Sequence, residues 1–283
     1  MADRKVTVLD VQQAKDEGRK LTMLTAYDYP FGQLVDLAGI DIALVGDSLG
    51  MVVMGLDGTV EVTMEDMIHH TRAAKRGIKN ALIVGDMPFM SYNTSIREAI
   101  ANAGRLMKEG GCDVVKLEGG VDFAETIKAI VKAGIPVQGH IGLTPQTASA
   151  LGGFKTQGRD AESARQLIED AKALEEAGCF SMILEAVPSE VARLLAQSVR
   201  IPVIGIGAGP HVDGQVLVTH DLLGLFDKFV PKFVKQYAQI RQVILEALEA
   251  YRDEVAAGAF PAPEHSFTIS AEALVDLKKN LTD

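Results

Sequence analysis

Seven residues whose chemistry goes beyond packing follow closely on short apolar runs. They are Asp47 and Ser48 in Gly46-Asp47-Ser48, Asp86 in Gly85-Asp86, Lys116 and Glu118 in Lys116-Leu117-Glu118, His140 in Gly139-His140, and Glu185 after Met182-Ile183-Leu184. Brought to one place, they amount to four carboxylates, an ammonium and an imidazole, with a hydroxyl beside the first acid. Two carboxylates about 5 Å apart repel by roughly 3 kcal/mol at an effective dielectric near 20. One lysine does not offset several of them, so such a cluster needs protonation or a cation. All-oxygen ligation by few protein donors suits Mg²⁺, which keeps positions open for water or substrate.

Other readings of the same residues stay open. Asp47 and Asp86 could cap helices, and Glu118 could simply pair with Lys116 on their shared strand face. Glu185 could cap the helix that Pro188-Ser189-Glu190 opens. Lys116 lies in Val114-Val115-Lys116-Leu117, where an unpaired ammonium is costly to bury. A structural ion pair would satisfy it, and so would an anionic substrate beside a metal. The apolar run before Glu185 suits a general base working near neutral pH. His140, on the same strand face as Gln138, is either hydrogen-bonded scaffolding or an acid. His69-His70 lies inside a helical pattern with no partner at metal spacing and reads as packing.

The elements that must position these groups are short β-rich runs at 21–25, 40–45, 81–84, 113–117, 136–139, 181–184, 201–206 and 215–218. Most are too continuous in Val, Ile and Leu to have a wet face, and they read as parallel strands buried on both sides. Amphipathic stretches lie between them, at 98–108, 123–132, 162–176 and 189–197. Ser95 with Glu98 reads as a capping box, and Thr63 with Asp66 as a weaker one. A loose repeat recurs at Ala38-Gly39, Gly110-Gly111, Ala133-Gly134 and Ala177-Gly178, each ending a helix at glycine before a strand. Eight strands with helices between them point to a (β/α)₈ barrel, in which polar residues at the C-terminal strand ends build the active site. The glycines of Ile204-Gly205-Ile206-Gly207-Ala208-Gly209 would allow close approach to a ligand. As a dinucleotide motif the match is weak, because no helix-opening GxGxxG is evident.

Length and composition agree with one such domain spanning 1–283 with a C-terminal extension from about 258. The chain has 283 residues, 47% hydrophobic and 23% charged. At this size roughly 75% of the unfolded surface can be buried without a disulfide or metal staple. The net charge of −10 argues against nucleic acid or an anionic membrane as partner. No apolar run approaches the roughly 20 residues that cross a bilayer, and Met1-Ala2-Asp3-Arg4-Lys5 does not open a secretion signal. Cys112 and Cys179 have no metal spacing and read as buried thiols of a reducing cytoplasm. The Phe260-Pro261-Ala262-Pro263 segment should break the last long helix, with a short helix from Ser270.

Several motifs together resemble the ketopantoate hydroxymethyltransferase family. They are Gly46-Asp47-Ser48-Leu49-Gly50-Met51, Asp86-Met87-Pro88-Phe89-Met90-Ser91-Tyr92, Val115-Lys116-Leu117-Glu118-Gly119-Gly120 and Gly139-His140-Ile141-Gly142-Leu143-Thr144-Pro145-Gln146. Further along come 201–209, Asp213-Gly214-Gln215-Val216-Leu217-Val218 and Pro263-Glu264-His265-Ser266-Phe267. The resemblance implies an α/β fold, a (β/α)₈ TIM barrel of the phosphoenolpyruvate/pyruvate type. It implies hydroxymethyl transfer from 5,10-methylenetetrahydrofolate to 3-methyl-2-oxobutanoate, giving 2-dehydropantoate in pantothenate biosynthesis. By the same resemblance, Asp47, Asp86 and Glu118 hold Mg²⁺, and Asp47, Ser48, Asp86 and Lys116 hold the 2-oxo acid. Glu185 is the implied base that removes the C3 proton, with His140 behind these groups. The family also implies a cytoplasmic homo-oligomer, a decamer of two pentamers, acting on small molecules.

Three other readings compete. A carbon–carbon lyase or mutase of the isocitrate lyase/phosphoenolpyruvate mutase kind would need a proton donor, often a mobile cysteine, and neither Cys112 nor Cys179 sits in such a loop. A serine esterase using Ser48 would need an Asp-x-x-His dyad near the C-terminus, whereas Asp66-Met67-Ile68-His69 is early and helical. A non-catalytic binding scaffold would have little reason to keep Lys116 and Glu185 in apolar runs.

Overall fold

Runs of Val, Ile and Leu with no hydrophilic face must be covered on both sides, and here they become eight parallel strands. The computed structural model describes residues 4–149, 152–153 and 155–281. The polar lead Met1-Ala2-Asp3, and Phe154, lie outside the described residues. The strands are β1 (Leu21–Thr25), β2 (Ile42–Val45), β3 (Leu82–Asp86), β4 (Val114–Glu118), β5 (Val137–Gly142), β6 (Ser181–Glu185), β7 (Val203–Ile206) and β8 (Gly214–Leu217). They close in sequence order, β8 pairing with β1 through Leu21↔Gly214 and Met23↔Val216. This is the expected (β/α)₈ barrel.

The helices are α1 (Val8–Asp16), α2 (Tyr29–Leu37), α3 (Leu49–Val52), α4 (Met64–Gly77), α5 (Ile96–Arg105), α6 (Ala124–Lys132), α7 (Ala161–Ala177), α8 (Ser189–Ser198), α9 (Thr219–Leu222), α10 (Ile240–Ala256) and α11 (Ala271–Asn280). Two apolar cores result from the period-2 alternation of the strands. One lies between strands and helices and includes Val45, Ile83, Val115, Leu117 and Leu184. The other fills the barrel with Leu21, Met23, Ile42, Leu44, Leu82, Val84, Val114, Ile183, Ile204 and Val216. Val11 and Ala14 of α1 join this inner core and close its N-terminal end. Lys15 fastens that closure, donating to Val199 O and Ile201 O and pairing with Asp213 at 3.0 Å.

The helix-ending glycines behave as their positions require. Gly39, Gly111, Gly134 and Gly178 have φ of 73°, 82°, 90° and 97°, the left-handed region that stops a helix at low steric cost. The two capping signals exchange rank. Thr63 and Asp66 form the reciprocal box, whereas Ser95 caps Glu98 N but the Glu98 carboxylate turns to Thr94. The glycines of 204–209 serve the chain itself: a Cβ at Gly207 would lie 2.7 Å from the Phe233 ring, and one at Gly209 would strike Ser189.

Side-chain exposure rises before 258, although Phe229 and Phe233 still line the barrel mouth. From Asp227 onward most side chains are exposed, and α10 buries none of its residues. Val243, Ile244, Leu245, Leu248, Tyr251 and Val255 of α10 all face outward. The break after α10 and the short helix capped by Ser270 fall where Pro261 and Pro263 place them.

Candidate active site

Along β3 to β6 the inward positions change from apolar to charged toward the C-terminal end. Register makes Asp86, Lys116, Gln138 and Ser181 neighbours in one tier, and sets Glu118 beside His140 in the next. These residues are ladder members, whereas the sequence pattern ended β3, β5 and β6 before Asp86, His140 and Glu185. The inward charge breaks the apolar run without breaking backbone pairing. Asp47 and Ser48 come from the loop after β2, and Glu185 ends β6. All seven line one cavity of about 480 Å³ at the C-terminal mouth. The rest of its lining is largely apolar and includes Leu143, Ile206, Val216, Phe226 and Phe229.

Lys116 Nζ meets Asp86 Oδ1 at 2.6 Å, both side chains almost fully buried. Burial works against the Lys116 charge, but Asp86, Glu118 and Asp47 together outweigh it and raise its pKa. The other Asp86 oxygen accepts Asp47 N–H at 3.2 Å. Burial raises the Asp86 carboxyl, with Lys116 pulling the other way. Asp47 is pushed well above the usual carboxylate range, first by burial and then by the Asp86 charge. Neither aspartate caps a helix, since Asp86 holds Lys116 while Ser48 occupies the cap of α3. Glu118 does not take Lys116 either. Its Oε2 accepts Gln146 N–H at 3.1 Å, and its buried Oε1 has no hydrogen-bond partner.

His140 lies between two acids, Nδ1 3.3 Å from Glu118 and Nε2 3.2 Å from Glu185. Neither contact has hydrogen-bond alignment, so the interaction is one of charge. Burial and Lys116 act to lower the His140 pKa, but Glu118 and Glu185 prevail and push it up to about 9. The setting of Glu185 is therefore polar on one side, where the sequence pattern suggested apolar surroundings. Pro188, not Glu185, stands at the N-cap of α8. Behind Glu185, Ala186 holds φ at 50°, and Leu143 N–H donates to Glu185 O at 2.9 Å.

Three supports were not singled out from sequence. Gln146 donates to Asp47 Oδ2 at 2.8 Å and to Met87 O at 3.0 Å. Tyr92 donates to Gln146 Oε1 at 2.6 Å and accepts Glu118 N–H at 3.3 Å. Tyr27 OH lies 2.8 Å from Ser48 Oγ. Each lies in a loop or at a strand end, where no periodicity tells which side chain turns inward. Ser48 thus bonds to a phenol and not to an imidazole, and Asp66 caps α4 at Thr63, so the esterase dyad does not form. Cys112 and Cys179 are buried outside the barrel, their thiols pushed up to about 12 by burial, and neither lines the cavity.

Among the described residues no three His, Cys, Asp or Glu side chains converge as a ready-made metal cage. The donors nonetheless fit a hard cation. Asp47 has only Oδ2 hydrogen-bonded, Glu118 Oε1 is buried without a hydrogen bond, and the acids outnumber the cations. Mg²⁺ needs one or two protein carboxylates, with substrate and water completing its shell.

The fold is that of the phosphoenolpyruvate mutase/isocitrate lyase barrels. A phosphonopyruvate hydrolase, solved with oxalate and Mg²⁺, superposes at a TM-score of 0.61 over 98% of this chain and 96% of that one, with 12% identity. A phosphoenolpyruvate phosphomutase from Streptomyces platensis gives 0.60 over 96% and 95%, with 14% identity. The chain belongs to the ketopantoate hydroxymethyltransferase family, whose profile matches residues 5–263. It is 58% identical to the 3-methyl-2-oxobutanoate hydroxymethyltransferase of Heliobacterium modesticaldum over 95% of this chain and 98% of that protein. It is 56% identical to the enzyme of the same name from Clostridium beijerinckii, over 96% and 99%.

Proposed function

We propose that this enzyme transfers a hydroxymethyl group from 5,10-methylenetetrahydrofolate to 3-methyl-2-oxobutanoate, giving 2-dehydropantoate in pantothenate biosynthesis. Family membership supports the reaction, and the convergence of Lys116, Glu185 and the aspartates on one cavity is the observation that supports the mechanism. Asp47 and Asp86 would hold Mg²⁺, with Glu118 completing the protein's share through its unbonded oxygen. The ion, when bound, draws electron density from the keto oxygen and so acidifies C3. Asp47, Ser48, Asp86 and Lys116 bind the 2-oxo acid, and the Lys116 ammonium stabilises negative charge developing on it. Glu185 takes the C3 proton, and His140, held between Glu118 and Glu185, keeps that carboxylate aimed. The nucleophilic carbon then bonds to the methylene carbon as one of its two C–N bonds to the folate breaks. Water displaces the second nitrogen, the protons from C3 and from water ending on the two folate nitrogens. Water supplies the new hydroxyl, and tetrahydrofolate leaves.

The single barrel with a C-terminal extension from about 258 belongs to the same proposal. So does the homo-oligomer, a decamer of two pentamers, which the uncovered apolar side chains of α10 support. A cytoplasmic enzyme without nucleic-acid or membrane partners fits a net charge of −10 and two unpaired buried thiols. Among the described residues no helix is long and apolar enough to cross a membrane.

Proton NMR in D₂O tests the chemistry directly. The protein with Mg²⁺ should exchange the C3 proton of 3-methyl-2-oxobutanoate without any folate. Absence of exchange, with substrate bound, would remove the enolisation mechanism.

A further inference from the structure

The seven groups of the site occupy the β2–β6 side of the cavity. Across from them stands Asp221, in the short helix that follows β8, with 7% of its surface exposed. Among the described residues, its Oδ1 is buried with no hydrogen-bond partner and no cation lies within ion-pair distance. Asp47, Asp86 and Glu118 each have one oxygen held by a donor, from Gln146, Lys116 and Gln146 N–H, and Glu185 lies beside His140, whereas among the described residues no donor reaches the Asp221 carboxylate. A buried acceptor left without a donor is costly, so its retention calls for a donor brought from outside. Thr59 Oγ1, on the same cavity, is equally buried and unbonded. Met51, Val52, Phe226 and Phe229 complete an apolar lining there.

A flat ring with apolar faces and adjacent N–H donors along one edge meets all three requirements. A five-carbon 2-oxo acid cannot fill about 480 Å³, so room remains for a second, larger substrate. The reduced pterin of the one-carbon donor carries such an edge, its ring N3–H beside its 2-amino group. That pair of parallel donors matches the two oxygens of a carboxylate. We propose that Asp221 is the specificity-determining residue for the folate, accepting both pterin donors while the apolar side chains cover the ring. This rests on the hydroxymethyl-transfer reading above. Burial lifts the Asp221 carboxyl to about 6, and two N–H donors would favour its ionised form. At the cavity rim Lys155 and Lys232 form no ion pair with described residues, which suits the carboxylates of the folate tail.

The test is calorimetric binding of tetrahydrofolate to the full chain with Mg²⁺ and 3-methyl-2-oxobutanoate. Asp221→Asn and Asp221→Ala should each weaken it by about 10-fold or more. A 2-desamino analogue of tetrahydrofolate should bind the unaltered protein about 10-fold more weakly than tetrahydrofolate itself, and Asp221→Ala should no longer distinguish the two. Binding of the 2-oxo acid by each variant reports that its fold is kept. Should a variant not fold, the analogue comparison on the unaltered protein decides. Tetrahydrofolate binding unchanged in Asp221→Asn, or indifference of the unaltered protein to the 2-amino group, would overturn the assignment. Failure of C3 exchange in the unaltered protein would instead overturn the reaction, so the two failures are distinguishable.

Discussion

Gln146 Nε2 donates to Asp47 Oδ2 at 2.8 Å, tying the loop after β5 to the loop after β2 across the cavity mouth. The same side chain holds Met87 O and Tyr92 OH, so one amide locks the loops that carry two acids. Gln146→Leu would leave Asp47 Oδ2 without its donor and the Tyr92 hydroxyl without its acceptor in a buried place. Chemical denaturation should show a loss of about 2–4 kcal/mol, and Mg²⁺ affinity by calorimetry should fall roughly 10-fold or more. Values equal to those of the unaltered protein would show that the tie carries nothing.

Glu185→Gln should leave binding of 3-methyl-2-oxobutanoate nearly intact while slowing C3 exchange by about 10²–10⁴. The amide keeps the size and polarity of the side chain but cannot take the proton. Exchange at the original rate would remove Glu185 from the mechanism.

Gly142 stands against Glu185 at φ 93°, and a Cβ there would lie 2.2 Å from Glu185 O. Gly142→Ala must therefore displace the β6 end or the loop that meets it. Exchange should slow although Glu185 itself is unaltered, and the far-ultraviolet circular dichroism should be kept. A variant as active as its parent would show that the base tolerates a shifted backbone.

Removal of divalent ions should stop turnover, and Mg²⁺ should raise the melting temperature of the chelated protein. The second effect follows because a cation among Asp47, Asp86 and Glu118 relieves repulsion present only in the folded state. Full turnover after exhaustive chelation would remove the metal from the proposal.

Asp221 offers a stability measurement with a defined sign. Its carboxyl titrates at about 6 when folded, against an ordinary 3.8, because burial disfavours the charge. The folded chain therefore binds more protons than the unfolded chain between those values, and this group's contribution to stability falls as pH rises through that window. Asp221→Asn should be more stable than its parent at pH 8, on the order of 1–2 kcal/mol once cavity water has screened part of the effect. The advantage should vanish near pH 4. An equal gain at both pH values would show that packing, not charge, is responsible.

The strands and the charged rim were legible because both follow from local rules. Apolar runs such as Ile42–Val45 declare burial, and residues that break them at one end declare the mouth. Their exact ends were less legible, since Asp86, His140 and Glu185 continue the backbone ladder while looking like loop residues. The pairing choice of Lys116 was not readable. Asp86 and Glu118 are both reachable from its position, and only the register Asp86↔Lys116 shows which is taken. Gln146, Tyr92 and Asp221 were missed for another reason. Each lies outside the periodic part of the chain, where burial depends on distant loops.

The α1 plug and the apolar packing above it give the cavity at the barrel mouth a closed floor. If the small acid belongs at the bottom with Lys116 and the broad folate nearer the rim with Asp221, the larger guest covers the smaller. Loading must then proceed in order, acid before folate, and unloading in reverse. Steady-state kinetics would register this as folate trapping the acid, with the acid's departure slowing as folate concentration rises.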